Sequence, residues 1–408
     1  MNSRRRFLSL TAAGAVASSA WAARRAELRF NEVEARIARR DFRDLTREDL
    51  GTPALILDEE IFNRNIRHMA EHSKSVGINV RPHVKIHKCP EVSKRQVALG
   101  AIGVCCATIA EAELFSASGI KGVLWTCQPA GRNKIQRTAD LAKKDPTFRA
   151  VVDDPRTVDL LEEAAAAVNT KVNVVVDCWA GLERHGCPTG EPALALAKKV
   201  DQAKHLKFAG VMGYSGAASH TKGWENRRKK SQEHVVPMVA TAEMCRKAGL
   251  NVEIITGGST GTYNIDKEFG LTELQAGSFV FMDTAYIKIG NKSGDAMYSD
   301  FGTALTVLTT VISRNHRNIA SIDAGNKAML KPTDAVKGRP DVVVKNQGAE
   351  YGLLTWTSGP EIGLGDLVEI YPSNLDMSVN VYDRIYVARG EKIVDMWPIM
   401  GRAGAPQR

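Results

Sequence analysis

Val172-Asn173-Val174-Val175-Val176-Asp177 is the stretch on which the fold turns. Its β-branched side chains follow one another almost without polar alternation, and a carboxylate ends the run. A strand with one wet face alternates apolar and polar residues. A run that is apolar at successive positions is covered on both faces, as in a parallel sheet flanked by helices. Seven further short runs of related character lie along the chain: Asn79–Arg81, Ile102–Cys106, Val123–Thr126, Phe148–Val152, Leu206–Met212, Val252–Thr256 and Leu274–Phe281. Before and between them come helix candidates, including Ile61–Val76, Glu91–Leu99, Glu111–Ser118, Thr157–Val168, Pro192–Ala203 and Trp224–Ala248. Eight strand–helix alternations predict a closed (β/α)8 barrel, with an open doubly wound sheet as the alternative.

Beyond Phe301 the pattern changes. Ala304–Ser313, Asn318–Ile322, Leu367–Tyr371, Arg384–Val387 and Lys392–Trp397 look like strands joined by turns, with no long amphipathic helix between them. They predict an antiparallel β domain over residues 297–408, after a barrel over residues 61–296. Ahead of the barrel, residues 27–60 form an extension. It carries a charged stretch that suits a helix and the short strand Pro53–Asp58, which is expected to join the β domain.

The chain has 408 residues, 44% of them hydrophobic and 25% charged, which is ordinary globular composition. Its formal net charge is +9, to which Arg4, Arg5 and Arg6 contribute three. No other basic run of the nucleic-acid-binding kind occurs, so the basicity is assigned to solvated surface and no nucleic-acid partner is expected. The seven cysteines are odd in number and show no Cys-x-x-Cys spacing, which implies neither a disulfide framework nor a zinc knuckle. Residues 1–26 read as a targeting segment. Ser3-Arg4-Arg5-Arg6-Phe7-Leu8 matches the twin-arginine pattern, an apolar stretch runs to about Ala20, and Ala20-Trp21-Ala22 offers a small-x-small cleavage site. The expectation is export to the periplasm by the twin-arginine machinery. An uncleaved anchor or a basic leader is the alternative.

Catalytic residues of such barrels sit just past the C-terminal ends of the strands, and phosphate often binds after the seventh and eighth. Past the first strand comes Arg81-Pro82-His83-Val84-Lys85-Ile86-His87-Lys88. A lysine at a strand end suits covalent capture of an aldehyde cofactor, although a solvated basic loop has the same spacing. Past the seventh comes Thr256-Gly257-Gly258-Ser259-Thr260-Gly261-Thr262-Tyr263, whose glycines, hydroxyls and amides suit an anion.

The run at 81–88 resembles the lysine motif of the D-threonine aldolase and D-serine dehydratase family. That family uses pyridoxal phosphate on the barrel of alanine racemase (the type III pyridoxal-phosphate fold). Gly258, Ser259, Thr260, Gly261 and Thr262 look like its phosphate cup. Val176-Asp177, followed by Gly181-Leu182-Glu183-Arg184-His185-Gly186, is similar to its Asp-x-Gly-x-x-Arg-x-Gly stretch with extra residues after the aspartate. Asp323-Ala324-Gly325-Asn326-Lys327 looks like a turn of its β domain, and the resemblance runs from about Leu50 to about Asp383.

The resemblance implies that Lys85 binds the cofactor covalently, that Arg184 lies near its phenolic oxygen, and that Tyr214 faces its ring nitrogen. A tyrosine there is a neutral partner and weakens the electron sink. His220, six residues after Tyr214, resembles the histidine that takes the substrate hydroxyl proton in the aldolases. In Tyr371-Pro372-Ser373-Asn374-Leu375-Asp376 the family's metal-binding aspartate is present as Asp376, while Asn374 replaces its histidine. An amide oxygen suits magnesium, manganese or calcium better than zinc. The implied protein is a homodimeric aldolase of D-3-hydroxy amino acids. A dehydratase or racemase on the same scaffold, and a non-catalytic cofactor-binding protein, are the alternatives.

Overall fold

The computed structural model describes residues 28–182, 184–330 and 336–402, so the leader lies outside the described residues. After a helix at Phe30–Ala38, strand β1 (Ala54–Asp58) leads into the helix Glu59–Val76. Eight parallel strands follow: β2 (Asn79–Val80), β3 (Cys105–Cys106), β4 (Leu124–Trp125), β5 (Arg149–Val152), β6 (Val172–Asp177), β7 (Leu206–Gly213), β8 (Ile254–Gly257) and β9 (Glu273–Leu274). Neighbours pair in the order β2-β9-β8-β7-β6-β5-β4-β3. A parallel bridge between His83 and Cys105 joins the first strand to the second and closes the ring.

All eight expected strands are therefore present, and the closed barrel replaces the open-sheet alternative. Several strands are shorter than expected, β3 and β4 by two or three residues and β9 most of all. Of Leu274–Phe281 only Leu274 lies in a strand, and Ser278–Val280 is a 3-10 turn. The chain leaves the sheet there because the Phe279 amide donates to Thr260 Oγ1 at 3.0 Å, which ties the segment to the loop after β8. To the expected helices the structure adds Arg132–Lys144.

β6 shows why its sequence is nearly continuous. Val172, Val174 and Val176 join the large core formed with the helices, while Val175 points into the lumen. There it packs with Cys105, Leu124, Val151, Ala209, Met212 and Ile254. These seven side chains come from β3 to β8. The remaining two strands close the lumen with charge. Arg81, just past β2, gives Nε and Nη2 to the two carboxylate oxygens of Glu273 on β9, each at 3.0 Å. Its Nη1 donates to the Gly122 carbonyl. Arg81 is 2% and Glu273 0% exposed, so the pair is fully desolvated.

The second sheet holds β1 with β10 (Leu305–His316), β11 (Ile319–Ile322), β12 (Val342–Asn346), β13 (Gly352–Trp356), β14 (Leu367–Ile370), β15 (Arg384–Arg389) and β16 (Lys392–Pro398). β1 pairs antiparallel with β10 and parallel with β15; the other pairs are antiparallel. The β12–β13 hairpin is an addition to the sequence expectation. The domains meet where Phe62 packs edge-on against Trp397 of β16, with ring centroids 5.6 Å apart. The Arg95 guanidinium lies 4.1 Å over the same indole.

Arg81→Met leaves Glu273 charged and unpaired in the lumen. Urea unfolding should show a loss of about 3–5 kcal/mol, and adding Glu273→Met should recover most of it.

Candidate active site

At the C-terminal mouth of the barrel lies a cavity of about 390 Å³. Its walls include Lys85 from the loop after β2, Thr126 and Cys127 after β4, Arg184 and His185 after β6, and Tyr214 after β7. Ser259 and Thr260 after β8 and Gly277 and Ser278 after β9 complete it. The lysine and the anion loop, 174 residues apart in the chain at Lys85 and Ser259, thus share one chamber.

Lys85 sits in the short 3-10 turn Val84–Ile86. His83 caps that turn, its Nδ1 accepting the Lys85 amide at 3.4 Å, while its Nε2 lies 3.4 Å from Thr126 Oγ1. Burial, and then the charge of Lys85, hold the His83 pKa well below the ordinary histidine range. His87 is pushed down to about 3 by burial, with Lys88 adding to the effect. Lys88 is neutralised by Glu111 at 3.0 Å. The 81–88 run is therefore not a solvated basic loop. His87 is buried and His83 half-buried, both with lowered pKa values, the second lysine is paired, and Lys85 is the cation of the run that reaches the cavity, beside His83 and Ile86.

The loop after β8 divides its labour. Ser259 and Thr260 line the cavity, while Thr262 turns away beneath it. Thr262 Oγ1 accepts the Ser259 amide at 3.1 Å and donates to Asp266 Oδ2 at 2.6 Å. Asp266 also receives the Ser231 hydroxyl, and burial pushes its carboxyl up to about 7. Gly258 has φ +74°, and a Cβ there would run into Asp266 Oδ2. At Gly261 a Cβ would strike the Ser219 carbonyl. Gly261 lets backbone approach backbone where a side chain would block it, and Gly258 leaves room for the Asp266 carboxyl.

Tyr214 lines the cavity, with the Arg184 guanidinium 5.8 Å from its ring centre. His220 is at the rim, outside the cavity lining. Its ring lies 4.3 Å from that of Tyr286, whose hydroxyl is 2.6 Å from Ser219 Oγ. Burial lowers the His220 pKa, a hydrogen bond to the Gly216 backbone opposes this, and Lys85 and Asp376 act on it as nearby charges. Asp376 reaches the same rim from the β domain, with Oδ2 3.2 Å from Lys85 Nζ. Its Oδ1 is buried and has no hydrogen-bond partner among the described residues. Asn374 is the N-cap of the helix Leu375–Val379, and its Oδ1 accepts the Met377 amide at 3.0 Å.

Sequence reasoning missed several wall residues. Gln275 and Tyr286 lack a motif, and Asp283, outside the lining, emerges only from the fold. Asp283 caps Tyr286 at 2.9 Å, and burial together with Asp376 holds its carboxyl up to about 6. His185 lay in view within a quoted motif without a role.

A phosphorylated aldehyde fits these residues. An amine stands on one wall, the hydroxyls and tight glycine turn stand on another, and the chamber matches a small cofactor with a substrate. Asp376 Oδ1 and the partly used Asn374 oxygen suit an oxygen-preferring cation held through few protein ligands. Among the described residues no group of three His, Cys, Asp or Glu side chains could close around a metal. Gly258→Ala should weaken pyridoxal phosphate binding by about 5- to 150-fold through strain of about 1–3 kcal/mol, read by absorbance titration of the apoprotein. Lys85→Ala should abolish the covalent cofactor band.

Residues 57–285 match the alanine racemase N-terminal domain family, and residues 304–388 match the serine dehydratase domain. The chain is 34% identical over 359 residues to the 3-hydroxy-D-aspartate aldolase of Paracoccus denitrificans (strain Pd 1222), covering 87% of this chain and 92% of that one. It is 31% identical over 357 residues to the D-threonine aldolase of an Arthrobacter species, covering 86% and 93%. The crystal structure of D-threonine aldolase from Filomicrobium marinum aligns with a TM-score of 0.83 at 34% identity, covering 88% and 97%. By these matches and the shared chamber, the chain belongs to the D-threonine aldolase and D-serine dehydratase-like family of pyridoxal-phosphate lyases, built on the alanine racemase barrel.

Proposed function

We propose that this protein cleaves D-3-hydroxy amino acids to glycine and an aldehyde. The observation that carries the reading is the meeting of Lys85, His220 and Asp376 at one rim, with Lys85 Nζ 3.2 Å from Asp376 Oδ2 and both acting electrostatically on His220. Pyridoxal phosphate, when bound at Lys85, supplies the electron withdrawal that weakens bonds to the α-carbon. The chain's own residues do the rest. Ser259 and Thr260 hold the phosphate, and Arg184 and Tyr214 flank the ring. His220, kept neutral by burial, takes the proton of the substrate's 3-hydroxyl. Asp376 and Asn374 hold a divalent cation, magnesium, manganese or calcium rather than zinc, beside that hydroxyl.

The two relatives described above act on 3-hydroxy-D-aspartate and D-threonine by name, and both are aldolases. The match to a serine dehydratase domain supports a second reading, elimination of water from the same substrates. We further propose a homodimer exported by the twin-arginine route, on the strength of the family and of residues 3–8. Subcellular fractionation of cells carrying Arg4→Lys/Arg5→Lys should trap the protein in the cytoplasm.

Products decide between the readings. The purified holoenzyme with D-threonine should yield glycine and acetaldehyde; 2-oxobutyrate and ammonia without glycine would overturn the aldolase. The His220 pKa is lowered, so the required neutral imidazole persists below pH 6.5. The acidic limb of kcat/KM should therefore fall below that value, and His220→Gln should remove it with a loss of about 100- to 10,000-fold. Chelation should lower activity, with manganese or magnesium restoring more than zinc. Full activity after chelation would remove the cation from the scheme.

A further inference from the structure

His185 receives more support than a packing residue needs. Its Nδ1 lies 2.5 Å from Asp177 Oδ2, and the same carboxylate oxygen accepts Gln128 Nε2 at 2.6 Å. Asp177 is 1% exposed, and burial raises its carboxyl pKa against the opposing bonds from His185 and Gln128. A carboxylate brought this deep costs desolvation energy, so its position is a constraint on the partner it holds. Asp153, just past β5, accepts the Gly186 amide at 2.9 Å and fixes the backbone beside the histidine. The loop is zipped at its base, where the Cys187 amide donates to the Asp177 carbonyl at 2.9 Å and the Trp179 amide to the Cys187 carbonyl at 2.8 Å. His185 itself lines the cavity that holds Lys85. With Nδ1–H given to Asp177, Nε2 is the nitrogen left to carry a mobile proton.

Gln128 and Asp153 follow β4 and β5, Asp177 ends β6, and His185 stands in the loop that follows β6. His220 stands in the loop after the neighbouring strand β7 and leans on Tyr286. The chamber mouth thus carries two histidines on successive loops, one held by a buried carboxylate and the other by an aromatic ring.

We propose that His185 is a second catalytic acid–base residue, the donor of the proton that the α-carbon takes up. This rests on the aldolase reading. In that reaction the 3-hydroxyl proton goes to His220 as the carbonyl forms. The electron pair of the broken Cα–Cβ bond stays at Cα, and a proton from His185 Nε2 completes glycine. His220 then loses its proton to solvent and His185 regains one, so the cycle closes without another reactant.

The test is exchange of the glycine α-hydrogen in D2O, followed by proton NMR with the wild-type holoenzyme and His185→Asn. The asparagine amide keeps a donor toward Asp177 and lacks Nε2. Exchange should fall by about 100-fold or more in His185→Asn. The cofactor absorbance and the pyridoxal phosphate affinity of the apoprotein should stay unchanged, and His220→Gln should still exchange. Nitrogen-15 imidazole shifts of the wild type should show Nδ1 protonated, and Asp177→Asn should disturb that state. If the wild type cleaves substrate and His185→Asn exchanges at the wild-type rate, Lys85 or another group is the donor and the assignment falls alone. If the wild type neither cleaves nor exchanges, the aldolase reading falls with it.

Discussion

The ion pair of Arg81 with Glu273 is the constraint around which the rest of the barrel is arranged. Six strands fill the lumen with small and branched apolar side chains. The first and last strands meet with a guanidinium and a carboxylate in bidentate contact. Such a pair in a dry lumen tolerates little error of register, because a slip of one residue would turn both charges outward and leave neither partner in reach. Gly103 and Gly122 leave the space the guanidinium occupies, since a Cβ at either would fall within 2.9 Å of Nη1. The seam thereby fixes where β2 ends, and Lys85 stands four residues past Arg81.

From that fixed point the chemistry follows by placing few charges in the chamber. His87 is buried and His83 half-buried, burial lowers the pKa of both, and Lys88 is answered by Glu111. Asp266 and Asp283 are held toward the protonated form by burial. A site that must receive a phosphate dianion and a zwitterion gains from having its supporting carboxyls close to neutral. Asp266 illustrates the trade. It steadies Thr262 and presses against Gly258 beneath the anion loop, and its high pKa limits the repulsion it would exert on a phosphate above it.

The β domain supplies what the barrel lacks. Asp376 and Asn374 come from the helix after β14, and the contact of Phe62, Arg95 and Trp397 holds the domains together behind them. The mouth is then flanked by two differently held histidines. His220 rests on an aromatic ring near Lys85, and His185 is locked by a buried carboxylate.

By itself the sequence determined the barrel, because a strand covered on both faces must be apolar at successive positions, as Val174–Val176 is. It also determined the lysine and the Gly258–Thr262 loop, since an amine-bearing turn and a glycine-rich anion loop need particular residue types close together in the chain. The tertiary structure decided what depends on partners far away. β12 and β13 acquire their identity by pairing with each other and with β11, and the short β2, β3, β4 and β9 exist as strands through their neighbours rather than through local propensity. Thr262 belongs to the loop in sequence, yet its hydroxyl is drawn beneath it by Asp266. His185 acquires its carboxylate only because β6 delivers Asp177 back against the loop that follows it. Local sequence encodes propensity and periodicity, whereas burial and hydrogen-bond partnership are set only when distant segments close on one another.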